Sequence, residues 1–280
     1  MQLQDYLIMR LSGIGNSGQV ENLTPQKTAA AHNAIYRGKD LTDTYTIEQI
    51  CSMISAGTFD DLYIGDTYTV TINTALGGTE VVKLVFADFD HFYQNGDTAL
   101  TRHHAVMVPK DCFTTLAKMN DTNTTEGGYF SSAMHSTTLP VYAAALQTAL
   151  SNHILTYRSI LTTAMNANIK SMAGNDWNGA ASSWEWKDVM LRLMSEVNLY
   201  GCHPLSSSFY DIGANNRQFN LFRHNPASII AGKGNGGARQ WYWLSAVANS
   251  ATFAACDSDG RFVYSVARSS DGVRPYFLIG

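Results

Sequence analysis

Apolar, strand-like runs stand near both ends of this chain, at residues 81–89 and 277–279, with helix-like segments between them. One sheet can bury both runs only if distant parts of the chain come together. That order of elements fits an α+β fold with a sheet formed by distant segments. Local patterns fill in the frame. Thr46 can cap a helix with Gln49 as its capping-box partner, a buried face of Ile47, Ile50, Cys51 and Ile54, and Gly57 at its end. Residues 67–73 alternate, with Tyr68, Val70 and Ile72 on one face and threonines on the other. Residues 105–108, stopped by Pro109, read as a further strand. Residues 139–155 are rich in Ala and Leu with Pro140 in the first turn, which predicts a helix. Ser182 and Glu185 have capping-box spacing, and Trp186, Val189, Leu193 and Val197 would be the buried stripe of another helix ending at Gly201. From Trp241 onward the pattern returns to short strands, with turns at Asp259-Gly260 and Asp271-Gly272. Trp186, Trp241 and Trp243 are expected in the core, Trp184 less so.

Residues 1–45 differ from the rest. Gly13, Gly15 and Gly18 interrupt any regular element, so this stretch reads as an attachment arm with a short helix around residues 25–36, leaving 46–280 as the domain. No apolar run approaches the ~20 residues that span a bilayer. Residues 1–10 lack a basic region followed by an apolar one, so no secretory signal is expected and synthesis is assigned to the cytoplasm. Only 15% of residues are charged, against about a quarter in an average protein, so the surface must rely on Ser, Thr, Asn, Gly and Tyr. Such a surface suits direct contact with proteins or sugars. A net charge of −4 without any basic stripe argues against nucleic acid. The four cysteines are widely spaced with no CxxC pair and are expected to be free thiols.

Catalytic patterns are sparse. Asp88, Asp90, His91, His103 and His104 fall between residues 88 and 104. Strand alternation would put the two carboxylates on one face and His103 and His104 on opposite faces, a set able to hold Zn²⁺ or another divalent ion. The simpler reading is that these groups bond backbone at strand ends. Gly232-Lys233-Gly234 is followed by Asn235 and so lacks the hydroxyl of a phosphate loop; residues 232–237 read as a flexible loop. Cys202 and His203 are neighbours whose side chains diverge, and no G-x-S-x-G elbow occurs. No catalytic residue, metal ligand or cofactor is therefore assigned.

Several stretches, taken in order, carry a family resemblance. They are Leu62-Tyr63-Ile64-Gly65-Asp66, Asp88-Phe89-Asp90, His103-His104 and Met119-Asn120, then Thr124-Thr125-Glu126-Gly127-Gly128-Tyr129. Trp241-Tyr242-Trp243-Leu244, Gly272-Val273-Arg274-Pro275 and Phe277 complete the series. From about residue 46 to 280 the chain resembles phage and prophage tail proteins. The C-terminal half of that family is similar to C-type-lectin folds, including the variable proteins of diversity-generating retroelements. The resemblance implies a C-type-lectin-like domain that binds a receptor on a bacterial surface, protein or glycan, from a virion or a cell surface. The arm would join other tail proteins, and self-association into a homo-oligomer stays open. A structural tail or baseplate component, or a metal-dependent enzyme, are the alternatives. Calcium-mediated sugar binding is not implied: no Glu-Pro-Asn, Gln-Pro-Asp or Trp-Asn-Asp triplet occurs, and Asn175-Asp176-Trp177 runs in another order. The related formylglycine-generating enzymes use paired cysteines near the C-terminus, where this chain has Cys256 alone.

Composition tests the retroelement reading. Adenine-directed mutation of AAC or AAT codons cannot produce Lys, Glu, Gln, Met or Trp. Those five types occupy 38 of residues 1–244 and none of residues 245–280. At the earlier frequency such a gap has a chance on the order of one in five hundred. Within this tail Trp241, Trp243, Gly260, Gly272, Arg274 and Pro275 read as scaffold. Ala246, Asn249, Thr252, Ala255, Asp257, Asp259, Arg261, Tyr264, Ser265, Arg268 and Ser269 read as display, spanning about residues 245–270. Arg261 and Tyr264 are the expected anchors, being residue types that dominate binding energy.

Overall fold

The computed structural model describes residues 27–170, 178–204 and 217–280. Gly13, Gly15, Gly18 and Asn175-Asp176-Trp177 lie outside these residues. Thr28 caps a short helix α1 (Ala29–Asn33), and Thr46 and Gln49 form the expected capping box of α2 (Ile47–Ser55). Ile47, Ile50, Cys51 and Ile54 are buried as their spacing requires, and Gly57 leaves the helix at φ +69°. Residues 29–45, set apart in the sequence as an arm, pack on the body. His32 Nδ1 lies 2.6 Å from the Leu62 carbonyl, and the Asn33 amide bonds both the N–H and the carbonyl of Phe89. Arg37 forks onto the buried Asp66, and Leu41 is fully buried. A polar, glycine-poor stretch can thus join a body through side-chain hydrogen bonds, which apolar periodicity does not detect.

Five antiparallel strands form the main sheet. They are β1 (Thr67–Thr74), β2 (Gly78–Phe89), β3 (Ala105–Pro109), β6 (Leu191–Leu193) and β10 (Pro275–Ile279), in the order β1-β2-β3-β10-β6. The last strand pairs Phe277 with Met107 on one side and with Leu191 on the other, so distant segments share one sheet. A π turn (Met134–Thr138) leads into α3 (Leu139–Ala149), with Pro140 in its first turn; it buries Leu139, Tyr142, Ala143 and Leu146. The whole is α+β.

The middle of the chain departs from expectation. Two strands, β4 (Tyr157–Lys170) and β5 (Asn178–Val189), pair as an antiparallel ribbon where a helix from Ser182 was expected. Ser183, Glu185 and Asp188 are exposed, while Trp184 and Trp186 share one half-buried strand face opposite Thr162 and Ile160. Period two was available in the Trp-Glu-Trp alternation, and a Ser-x-x-Glu spacing fits a strand as readily as a helix start. Only α4 (Glu196–Tyr200) is helical, capped by Ser195 and Asn198 and ended by Gly201 at φ +79°.

The tail forms a second sheet of β7 (Tyr242–Val247), β8 (Thr252–Cys256) and β9 (Phe262–Val266), after α5 (Asn220–His224) and a 3-10 turn (Pro226–Ile229). Trp243 is fully buried, and its indole N–H donates to the Ala117 carbonyl at 2.8 Å. Trp241 precedes the strand and is 38% exposed, so the expectation that it lies in the core is corrected. Asp271-Gly272 is extended, not a turn; it bridges residues 117 and 242. A Cβ at Gly272 would stand 2.6 Å from the Cys112 sulfur and 2.8 Å from the Trp241 carbonyl, so only glycine fits. Residues 232–237 are tied down rather than flexible: Asp111 accepts from the Gly232 N–H at 2.7 Å and the Gly236 N–H at 3.1 Å.

These burials predict unequal costs. Trp243→Ala removes a packed indole and should cost about 3–5 kcal/mol in denaturant unfolding, with Trp241→Ala within about 1 kcal/mol. Equal costs would contradict the assignment of Trp243 alone to the core.

Candidate ligand-binding surface

The β8–β9 hairpin turns on Asp257. Its carboxylate accepts from the N–H groups of Asp259 and Arg261, both at 2.9 Å, and from Arg261 Nε at 2.8 Å, while Gly260 takes φ +83°. This Asx-type turn fixes where β9 begins. Register then does the rest. Phe262, Tyr264 and Val266 stand directly opposite Cys256, Ala254 and Thr252, and opposed residues project on the same face. Three large side chains therefore rise beside three small ones. Phe262 is 50% exposed, Tyr264 48% and Val266 38%, whereas every residue of β7 and β8 is buried. Tyr200 of α4 meets Phe262 edge-on, with ring centroids 6.0 Å apart.

The tail's expected display residues divide. Asp259, Arg261, Tyr264 and Arg268 are exposed, and Asn249, Ser265 and Ser269 are half-buried. Ala246, Thr252, Ala255 and Asp257 are buried and cannot display anything as they stand. Ala246, Thr252 and Ala255 lie within strands covered on both faces, and Asp257 is the turn's internal anchor. Asn249 has a similar task, accepting from the Ala251 N–H at 2.9 Å in the β7–β8 loop. Phe262 and Val266 were missed because apolar residues in a strand read as core. Their alternation with Tyr264 was the available signal. Two segments upstream brace the loops beside this surface: the Thr125 hydroxyl donates to the Asn249 carbonyl, and the Met119 N–H to that of Ala267.

The carboxylate–histidine group is split in two. A register shift after Phe86 and a left-handed Asp90 (φ +55°) turn Asp88 and Asp90 apart, against the expected shared face. Asp88 is fully buried and bonded to His91 Nδ1, Arg217 and both nitrogens of Asn220. Burial alone would raise its carboxyl; His91, Arg217 and Asn220 outweigh that and hold it below the ordinary value. Asp90 instead receives His103 Nδ1 at 2.7 Å and the His104 N–H at 3.0 Å. His103 stacks on Tyr93, and the His104 ring is buried near Phe92. Among the described residues no group of three or more His, Cys, Asp or Glu is placed to hold a metal ion. All four cysteines are free, and burial raises the thiols of Cys256, Cys112 and Cys51, the latter two to about 12. Thiolate chemistry is disfavoured at each of the three.

No family model, curated protein or solved structure matches this chain. Among the described residues no helix is long and apolar enough to cross a membrane.

His104 sets a pH dependence. Its Nε2 accepts from the Phe92 N–H at 3.0 Å, so Nδ1 carries the proton facing the Arg102 carbonyl. Burial lowers its pKa to about 4. The unfolded chain then takes up this proton first, so stability is full above about pH 6.5 and falls as pH drops toward 4. The loss should be on the order of 3 kcal/mol. Denaturant unfolding from pH 7 to 4 measures it, and His104→Gln, which keeps an acceptor for Phe92, should flatten the decline. An unchanged slope in that variant would assign the effect elsewhere.

Proposed function

We propose that this chain is a non-catalytic binding protein with a C-type-lectin-like fold that recognises a protein receptor on a bacterial surface through the β9 face, as part of a phage tail. The observation that carries this reading is the exposed row of Phe262, Tyr264 and Val266 on an edge strand whose neighbours are wholly buried. Half-exposed apolar side chains in a row, flanked by Arg261, Asp259 and Arg268, make an aromatic patch with a charged rim. That composition fits a protein contact better than a purely polar sugar site. A rigid support adds to it, because side chains held by a buried sheet lose little freedom on binding. The lectin-like assignment draws on the ordered motifs of the sequence and on a last strand that returns between β3 and β6. Retroelement variation draws on the absence of five residue types after residue 244. Variation would act on Asp259, Arg261, Tyr264 and Arg268, while the buried Ala246, Thr252, Ala255 and Asp257 would tolerate little change.

The test is a triple variant, Phe262→Ser, Tyr264→Ser and Val266→Thr, compared with the parent by thermal melting and by adsorption to host cells. Each half-exposed substitution should cost no more than about 1 kcal/mol. Adsorption should fall at least tenfold. A folded variant that adsorbs unchanged would overturn the reading, and one that loses only its binding to other tail proteins would favour a structural tail component.

A further inference from the structure

A second site is suggested by a buried cation without a counter-ion. Arg274 is 1% exposed, and its four described hydrogen bonds all go to neutral acceptors. Nε donates to the Pro109 carbonyl at 2.9 Å and Nη2 to that of Ser228 at 2.9 Å. Nη1 reaches the Ile229 carbonyl at 3.2 Å and the Tyr242 hydroxyl at 3.3 Å. The rings of Phe222 and Tyr242 lie beside it, 5.6 and 5.3 Å away. No carboxylate pairs with it among the described residues. An arginine stays protonated when buried, and an unbalanced buried charge is costly unless something compensates it.

Arg274 lines a cleft of about 450 Å³ between residues 36–40, the outer face of β2 and the segment after α5. Lys83 and Lys110 line it too. Its two carboxylates are committed elsewhere: Asp40 to Lys83 at 2.9 Å and to Thr42, Asp111 to the Gly232 and Gly236 N–H groups. Three cations against two carboxylates leave one positive charge in excess, and Lys110 has no ion-pair partner among the described residues. One wall offers a ring. Tyr36 is 43% exposed and lies flat on Gly65, where a Cβ would stand 2.3 Å from it, and its hydroxyl accepts from Asn225 at 2.9 Å.

We propose that this cleft binds a small molecule carrying an oxyanion, carboxylate or phosphate, on a compact ring. The ring would lie against Tyr36 and the anion near Lys110, over the field of Arg274. Because Arg274 is roofed by the Ser228 and Ile229 carbonyls, it acts through its charge and not as a bidentate fork, so the direct contacts fall to lysine. The site is separate from β9 and does not rest on the receptor reading.

Calorimetric titration of the full chain at low salt, with glucose 6-phosphate, glucuronate and glucose as probes, tests it. At least one acidic sugar should bind saturably while glucose does not, and which acid binds tells phosphate from carboxylate. Lys110→Glu, at an exposed position, should melt with the parent and bind about tenfold more weakly, and added salt should weaken the parent's binding. Tyr36→Ala, a second variant, should weaken it as well. Binding by neither acid, equal binding by glucose, or affinity unchanged in Lys110→Glu would overturn the proposal.

Discussion

The pairing of Phe277 with Met107 on one side and with Leu191 on the other holds the two ends of the domain in a single sheet. β10 is buried along its whole length, and what precedes it is placed with little tolerance. Gly272 must slip between Cys112 and the Trp241 carbonyl, and Arg274 must reach three carbonyls of two separate segments. From that strand the second sheet is hung, with the Trp243 indole bonded to Ala117 and the Met119 N–H bonded to Ala267. β9 can therefore carry exposed aromatic groups while Val263 packs against the core.

Buried polar groups do the work of fixing position around this sheet. Asp66 gathers Arg37 and the N–H groups of Lys39 and Tyr63; Asp88 gathers His91, Arg217 and Asn220; Asp257 gathers its own turn. The first two carboxylates join segments far apart in sequence, and the third closes a single hairpin. Well-satisfied networks of this kind specify one arrangement, because any shift leaves a buried charge unpaired.

Much of the frame was legible in the sequence. The capping box at Thr46, the alternation of β1 and the apolar run of β2 rest on periodicity and local hydrogen bonding, which the sequence states directly; the apolar run of β10 was legible too, but not which strands it joins. The ribbon of β4 and β5 was misread, because Ser182 with Glu185 imitates a helix start and outweighed the alternation of Trp184, Glu185 and Trp186. The packing of residues 29–45 was missed for a related reason, since Asn33 and Arg37 act through partners 56 and 29 positions away. In the tail, type alone was a poor guide to exposure: Thr252 and Asp257 are polar yet buried, Phe262 and Val266 apolar yet exposed. Burial there depends on strand pairing, which residue chemistry does not encode one position at a time.

The placement of β10 also governs when the fold can form. β3 and β6 flank a gap that residues 275–279 fill, and 170 positions separate Met107 from Phe277 in sequence (277 less 107). During synthesis the nascent chain would present two apolar strand edges to its surroundings until residues 275–279 emerged. Long-range pairing of this kind is slow and exposes the chain to aggregation while it waits. β9 can be in place only after β10 has closed the main sheet, if the second sheet packs against it as the Trp243 and Gly272 contacts require.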